Sequence, residues 1–287
     1  MRHFFRKDDN FFQKKFKKVY TSVFFCGIIL DMKNQNYKKS VSDSVQTDDA
    51  VIAGRNAVLE LLSSDRNVEK IYLQKDGEGS LKKIVAIAKE KKIPLSFAEK
   101  QKLTLLAGGS FHQGVVALAQ QKEYATLDQL FEIADSRGEK PFFVIADGVE
   151  DPHNLGALIR CCEGAGAHGI IIPKNKAVGI TPTVIKSSAG AAEHLAVCRV
   201  TNLASTIDKL RDRGVWVYAC EADGTPYDKQ DFSGAIAIVL GSEGFGISRL
   251  IKEKSDFIIS LPMRGKVNSL NVSCAGAVIL YEAAKYR

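Results

Sequence analysis

The stretch Leu261-Pro-Met-Arg-Gly-Lys-Val-Asn-Ser-Leu-Asn-Val-Ser-Cys-Ala275 carries an apolar strand into Pro262 and a short turn, and then into a helix entered through Ser269, Leu270 and Asn271. Small polar residues at a strand-to-helix corner leave backbone groups free to hold a ligand. A matching corner, Leu240-Gly-Ser-Glu-Gly-Phe-Gly246, lies just upstream. A third polar segment, Asp147-Gly-Val-Glu-Asp-Pro-His-Asn-Leu-Gly-Ala-Leu-Ile-Arg160, opens the same C-terminal half.

Around these corners the pattern alternates between strand and helix. Apolar runs at 142–146, 169–172, 195–200, 215–220, 235–240 and 257–261 read as strands. The segments 155–166, 182–193, 203–213, 248–254 and 270–286 read as helices. Near-continuous apolar strands separated by helices imply a parallel sheet covered on both faces, an α/β fold.

Upstream, residues 51–122 form a smaller αβ unit of ordinary domain size. Its helices are expected at 54–62, 81–92 and 99–107, and its strands at 68–74, 93–98 and 114–120. Gly108-Gly109 stops the third helix. The most polar loops of this unit are Gly54-Arg55-Asn56 and Phe111-His112-Gln113-Gly114. Residues 123–140 are a charged linker with one helix at 127–134.

The first fifty residues differ in kind. Lysines alternate with Phe4, Phe5, Phe11, Phe12 and Phe16, and Val19 to Leu30 is nearly all apolar. That run is too short to span a bilayer, and no small-x-small cleavage site follows it. Met32 is expected to be the true start, and 33–50 a polar, disordered leader. This segment also holds most of the net positive charge, its ten basic and six acidic groups giving +4 of the +7 for the whole chain. The mild basic balance permits a polyanionic partner without requiring one.

Several chemistries are excluded by spacing. No CxxC and no Cys/His cluster of zinc spacing occurs, so no metal is expected. Cys162, Cys198, Cys220 and Cys274 sit in apolar segments and read as buried free thiols. Gly164-Ala-Gly-Ala-His-Gly169 spells a dinucleotide fingerprint but ends a helix and precedes a strand, the reverse of the required context. There is no GxxxxGK[ST] loop and no GxSxG elbow.

The three corners, in this order and in an α/β context, resemble the three motifs of the SpoU (TrmH-like) RNA 2'-O-methyltransferases. The likeness covers nearly all of the chain after residue 50. Residues 51–122 are similar to the ribosomal-protein-like RNA substrate-binding domain of the rRNA branch, and the branch resembled most is the bacterial 23S rRNA (guanosine-2'-O)-methyltransferases. The resemblance implies a SPOUT domain over 141–287 with a deep trefoil knot, a homodimer with its active site between subunits, and a cytoplasmic location without membrane contact.

It also implies S-adenosylmethionine as methyl donor. Backbone groups of Gly241, Leu261 and Leu270, with Leu240 and Asn271 beside them, are the expected cofactor site. Asn154, Arg160, Glu243, Ser269 and Asn271 are the expected catalytic set. A free guanidinium is a very poor base. Arg160 is therefore expected to clamp a phosphate and stabilise the developing alkoxide, with Asn154 orienting it or the ribose. Two other readings stay open: a tRNA or other-site rRNA methyltransferase, and a non-catalytic RNA-binding protein.

Overall fold

The structure, a computed structural model, describes residues 49–75, 79–109 and 111–287. The basic apolar segment and the Met32 start lie outside the described residues, as does all of the leader except Asp49 and Ala50.

The N-terminal unit runs β1 (Asp49–Ala53), α1 (Arg55–Ser63), β2 (Val68–Gln74), α2 (Ser80–Glu90), β3 (Leu95–Ala98), α3 (Lys100–Leu106) and β4 (Val115–Gln120). Its four-stranded sheet has the order β1-β4-β2-β3. Strand β1 corrects the sequence reading, which put Asp49 and Ala50 in the leader. Its register against β4 runs from Asp49↔Gln120 to Ala53↔Val116. The short run Ala50-Val-Ile-Ala53 becomes a strand because β4 offers it an edge and a buried face.

A connecting helix, α4 (Leu127–Arg137), begins at a capping box of Thr126 and Gln129 and ends at Gly138, whose φ of 67° only a glycine adopts readily. The C-terminal unit then alternates β5 (Phe142–Asp147), α5 (Pro152–Gly164), β6 (Gly169–Pro173), α6 (Pro182–Ser187), β7 (Ala196–Val200), α7 (Leu203–Asp212), β8 (Trp216–Pro226), β9 (Ile236–Gly241), α8 (Arg249–Lys254), β10 (Phe257–Ser260) and α9 (Val272–Ala284). All strand pairs in this sheet are parallel, in the order β10-β8-β9-β5-β6-β7. The expected α/β architecture is thus the observed one. The misplaced fingerprint also behaves as its context requires: α5 ends at Gly164, and the Ala167 N–H closes back on the Cys162 carbonyl.

Among the elements that depart from their expected lengths, two do so for a tertiary reason and a third lengthens a loop. The helix expected over 182–193 stops at Ser187, turns through left-handed Ala189 and Gly190, and resumes as a 3-10 turn at Ala191–Glu193. A Cβ on Gly190 would lie 2.4 Å from Cγ of Glu60, so the break makes room for α1 of the N-terminal unit. Strand β8 runs on to Pro226, because its tail re-pairs with β10 after a bulge; Ile258 faces Ala219, but Ile259 faces Thr225. The short turn expected after Pro262 is a longer loop, 261–271, and the following helix begins at Val272 rather than Leu270.

The cysteine reading holds in part. Cys162 and Cys198 are buried, but Cys220 is half-buried and Cys274 is exposed. Cys274 falls on the outward stripe of α9 with Val278 and Tyr281, at helical spacings of four and three residues.

Two close contacts fix α5, the helix that carries the first polar segment. Gly156 lies against α6, where a Cβ would sit 2.0 Å from Oγ of Ser187 and 2.8 Å from the Val184 carbonyl oxygen. Gly276 of α9 meets Leu158 and Leu240 at 2.8 and 3.0 Å by the same construction.

The two units share one continuous apolar core, which runs from Ile52, Leu61 and Val115 to Leu155, Ile185 and Ala192. A buried ion pair crosses the same junction. Arg66 Nη1 donates to Oε1 of Glu193 at 2.8 Å, and only 8% and 1% of the two side chains are exposed. Lys122 Nζ donates to the Glu193 carbonyl at 3.0 Å, and burial holds its pKa below the usual lysine value. Stripping one partner from such a pair leaves an uncompensated charge.

Glu193→Ala is expected to destabilise the fold by about 3–5 kcal/mol in chemical denaturation. Gly156→Ala is expected to cost about 1–3 kcal/mol through overpacking, a fall in Tm of about 3–10 °C by circular dichroism. An unchanged Tm would mean that α5 and α6 are not held at this separation.

Candidate active site

The C-terminal ends of parallel strands, where loops diverge from the sheet, form natural ligand crevices. Here β8, β9 and β10 end around a cavity of about 690 Å³, a size typical of small-molecule sites. Leu240 and Gly241 reach it from the end of β9, Leu261 from the end of β10, and Ser269, Leu270 and Asn271 from the entry to α9. The expected cofactor-site residues therefore line one cavity.

The turn after β9 is closed on itself. The Ser242 N–H donates to the Gly246 carbonyl at 3.1 Å, and the Gly246 N–H returns the bond to the Ser242 carbonyl at 3.0 Å. A Cβ on Gly241 would stand 2.2 Å from the carbonyl carbon of Gly246. The glycine at 241 is thus required by the closure of its own turn. Gly244 and Gly246 adopt φ of 89° and 65°, in the left-handed region.

At the mouth of the cavity the three corners meet through side chains. Asn154 Nδ2 donates to Glu243 Oε1 at 3.1 Å. Asn271 Nδ2 donates to Asn154 Oδ1 at 2.8 Å and also to Glu243 Oε1. Both asparagines are aimed by the helix ends that hold them. Asn271 is the N-cap of α9, and its Oδ1 accepts from the backbone N–H and the hydroxyl of Ser273 at 2.9 and 2.6 Å. Asn154 stands in the first turn of α5, where Oδ1 of Asp151 caps the N–H groups of His153 and Asn154, each at 2.8 Å. One carboxylate thus ties together two helix N-termini and the β9 turn.

Two of the expected catalytic residues stand apart from this cluster. Ser269 lines the cavity but is exposed and takes no part in the hydrogen bonds. Arg160 is exposed on α5, six residues after Asn154, a helical rotation of about 240° that turns it to another face. Among the described residues it makes no hydrogen bond or ion pair.

Sequence reasoning missed the cavity wall supplied by β8. Between its two stretches of pairing with β10, residues 220–224 leave the ladder, and Cys220, Glu221 and Ala222 line the cavity. Oε1 of Glu221 accepts from the Ile247 N–H at 2.6 Å, pinning the far end of the β9 turn. On the other side, Oδ2 of Asp147 accepts from the Ser248 N–H at 2.8 Å. Burial pushes the Cys220 thiol up to about 12, with the Glu221 carboxylate adding to it, so this thiol stays protonated at physiological pH. The signal in the sequence was an acidic residue ending an apolar strand, Val217-Tyr-Ala-Cys-Glu221. Among the described residues, no cluster of His, Cys, Asp and Glu suits a metal ion, and no helix is long and apolar enough to cross a membrane.

Comparison with known proteins identifies the family. Residues 141–281 match the SpoU rRNA Methylase family, and residues 51–125 match the RNA 2'-O ribose methyltransferase substrate binding family. The chain is 46% identical over 238 residues to a protein of Bacillus subtilis (strain 168) classed as a TrmH family tRNA/rRNA methyltransferase, over 82% of this chain and 95% of that one. A protein of Staphylococcus haemolyticus (strain JCSC1435) with the same classification is 45% identical over 242 residues, 84% of this chain and 97% of its own. Among solved structures, the SpoU methyltransferase AviRb from Streptomyces viridochromogenes, in complex with AdoMet, superposes with a TM-score of 0.70 at 21% identity, covering 83% of this chain and 90% of that one. An AdoMet-bound rRNA methyltransferase from Sinorhizobium meliloti gives 0.69 at 22% identity, covering 84% and 88%. These two likenesses speak to the fold alone; the sequence relatives carry the family assignment. The chain belongs to the SpoU/TrmH family of RNA methyltransferases.

Proposed function

We propose that this protein transfers a methyl group from S-adenosylmethionine to the ribose 2'-hydroxyl of a guanosine in 23S rRNA. The observation that carries the reading is the bonded trio of Asn154, Glu243 and Asn271, which joins the three motifs at the mouth of the cavity. In this reading residues 51–122 hold the RNA, 123–140 link, and 141–287 form the knotted methyltransferase domain of a cytoplasmic homodimer.

The residues present fit the donor. The cavity is of small-molecule size, and strand ends at Leu240, Gly241 and Leu261 together with the helix entry at Leu270 expose amides and carbonyls that suit an adenine edge. When bound, S-adenosylmethionine supplies a methyl group on a cationic sulfonium, which leaves as a neutral thioether. Asn154 and Asn271 hold the Glu243 carboxylate by its Oε1, so the turn that borders the cavity is fixed before the RNA arrives. Holding a methyl donor and a hydroxyl in line lowers a barrier by up to about 7–11 kcal/mol in well-oriented reactions. Arg160 serves as a phosphate clamp and as the cation facing the developing alkoxide, not as a base.

Two features support a site completed by a second copy. Arg160 is turned away from its own chain's Asn154. Helix α9, which packs on α5, carries one charged residue, Glu282, and still exposes Val278 at 39% and Tyr281 at 55%. A helix apolar on most faces is normally covered.

Arg160→Ala is expected to lower kcat by about 10²–10³-fold, with calorimetric affinity for S-adenosylmethionine unchanged; equal loss of both would remove Arg160 from the chemistry. Asn271→Ala is expected to weaken donor binding, since it frees both the α9 cap and the β9 turn; unchanged affinity would reject that role. Co-expressed Arg160→Ala and Asn154→Ala chains are expected to regain activity as mixed dimers, because one composite site keeps both residues. If Arg160 acts within its own chain, mixing restores nothing. Methyl transfer to unmodified large-subunit rRNA and tRNA, side by side, tests the substrate; transfer to tRNA alone would replace the rRNA reading.

A further inference from the structure

Phe245 is 95% exposed, more than any other large apolar side chain among the described residues. A naked phenyl ring on a flexible loop would mean little, but this loop is rigid. Phe245 lies near the apex of the turn that Ser242 and Gly246 close with two backbone hydrogen bonds. Left-handed glycines flank it on both sides, and Glu221 and Asp147 pin the backbone that follows. Two residues earlier, the same turn delivers Glu243 to Asn154 and Asn271. The ring is therefore held at a set distance from the candidate ribose site.

Its surroundings point to a particular occupant. Phe245 borders two hollows at once. One, of about 250 Å³, contains Asn154 and Glu243. The other, of about 600 Å³, runs from Phe245 and Leu250 to Asn175, Lys176 and Asn202 in the loops after β6 and β7. The charged groups facing this second groove are Asp147, Glu150 and Lys176, and Asp147 already accepts from the Ser248 N–H. With two carboxylates and one ammonium, the groove is a poor track for a phosphate backbone. Amides, a hydroxyl at Thr201 and one ammonium are instead the mixture of donors and acceptors that reads a base edge, beside a ring that offers a flat apolar face.

We infer that Phe245 is a stacking platform for a nucleobase of the RNA substrate, at or next to the nucleotide whose ribose meets Asn154 and Glu243, and that the groove toward Asn175, Lys176 and Asn202 receives that base's edge. The inference rests on the ribose-methylation reading of the same site. Sequence-specific recognition of RNA commonly works this way, with an unstacked base splayed onto an aromatic side chain.

The test compares wild type with Phe245→Ala, Phe245→Leu and Phe245→Trp on unmodified large-subunit rRNA. KM, kcat, donor affinity by calorimetry and oligomeric state by sedimentation equilibrium are measured. Phe245→Ala should raise KM for the RNA by about tenfold, the scale of one lost base stack, with donor affinity and oligomeric state unchanged. Phe245→Trp should restore KM, and Phe245→Leu, which lacks a π face, should not. The inference is overturned by an Ala variant whose KM stays within about twofold of wild type, by a Leu variant as good as Trp, or by a change of oligomeric state, which would assign the ring to a contact between copies. Wild type that methylates no RNA would instead overturn the underlying reading, and this inference with it.

Discussion

The Glu243 carboxylate accepts hydrogen bonds from Asn154 and Asn271, one from the first turn of α5 and one from the N-cap of α9, and the geometry of the site depends on that shared acceptor. Each asparagine is already committed to its own helix end, so the three loops cannot shift independently. The bonds face solvent, and each adds only modestly to stability. Their effect is on position: they set the separation between a cavity at the end of β9 and a hollow beside α5.

That convergence needs backbones to approach more closely than ordinary side chains permit. Gly241 lets the β9 turn fold back on itself, Gly156 lets α5 lie against α6, and Gly276 lets α9 lie against Leu158 and Leu240. Gly224 does the same for the tail of β8, where a Cβ would fall 2.5 Å from the carbonyl carbon of Ile259. The bulge that follows from this crossing is what pushes Cys220 and Glu221 out of the ladder and into the cavity wall. Interiors are packed too densely to absorb even one added methyl group at such points.

The N-terminal unit is joined to this frame through a shared core and through Arg66, Lys122 and Glu193. Gly190, which breaks α6 to admit α1, marks the same junction from the other side. A buried ion pair adds little net stability but penalises misalignment strongly, since either charge alone in that place is costly. Domains joined by small polar surfaces move by default, whereas these two share buried apolar contact. The polar loops of the N-terminal unit are accordingly carried on a body braced against the catalytic half.

Much of this was present in the sequence by itself. Apolar runs of strand length separated by helical periodicity determined the parallel α/β sheet, because a strand buried on both faces must be apolar throughout. The resemblance of the corners at 154, 243 and 271, in that order, to the family's three motifs implied that these residues belong together. The reversed context of Gly164–Gly169 was enough to dismiss a dinucleotide site. Tertiary structure alone decided the rest. It made a strand of Asp49–Ala53, split the helix after Ser187, and carried β8 past Cys220 to bring Glu221 into the wall. The physical reason is the same in each case: local periodicity reports which face of an element is apolar, but the partner that meets that face, and how closely its backbone can approach, is set by segments far away in the chain.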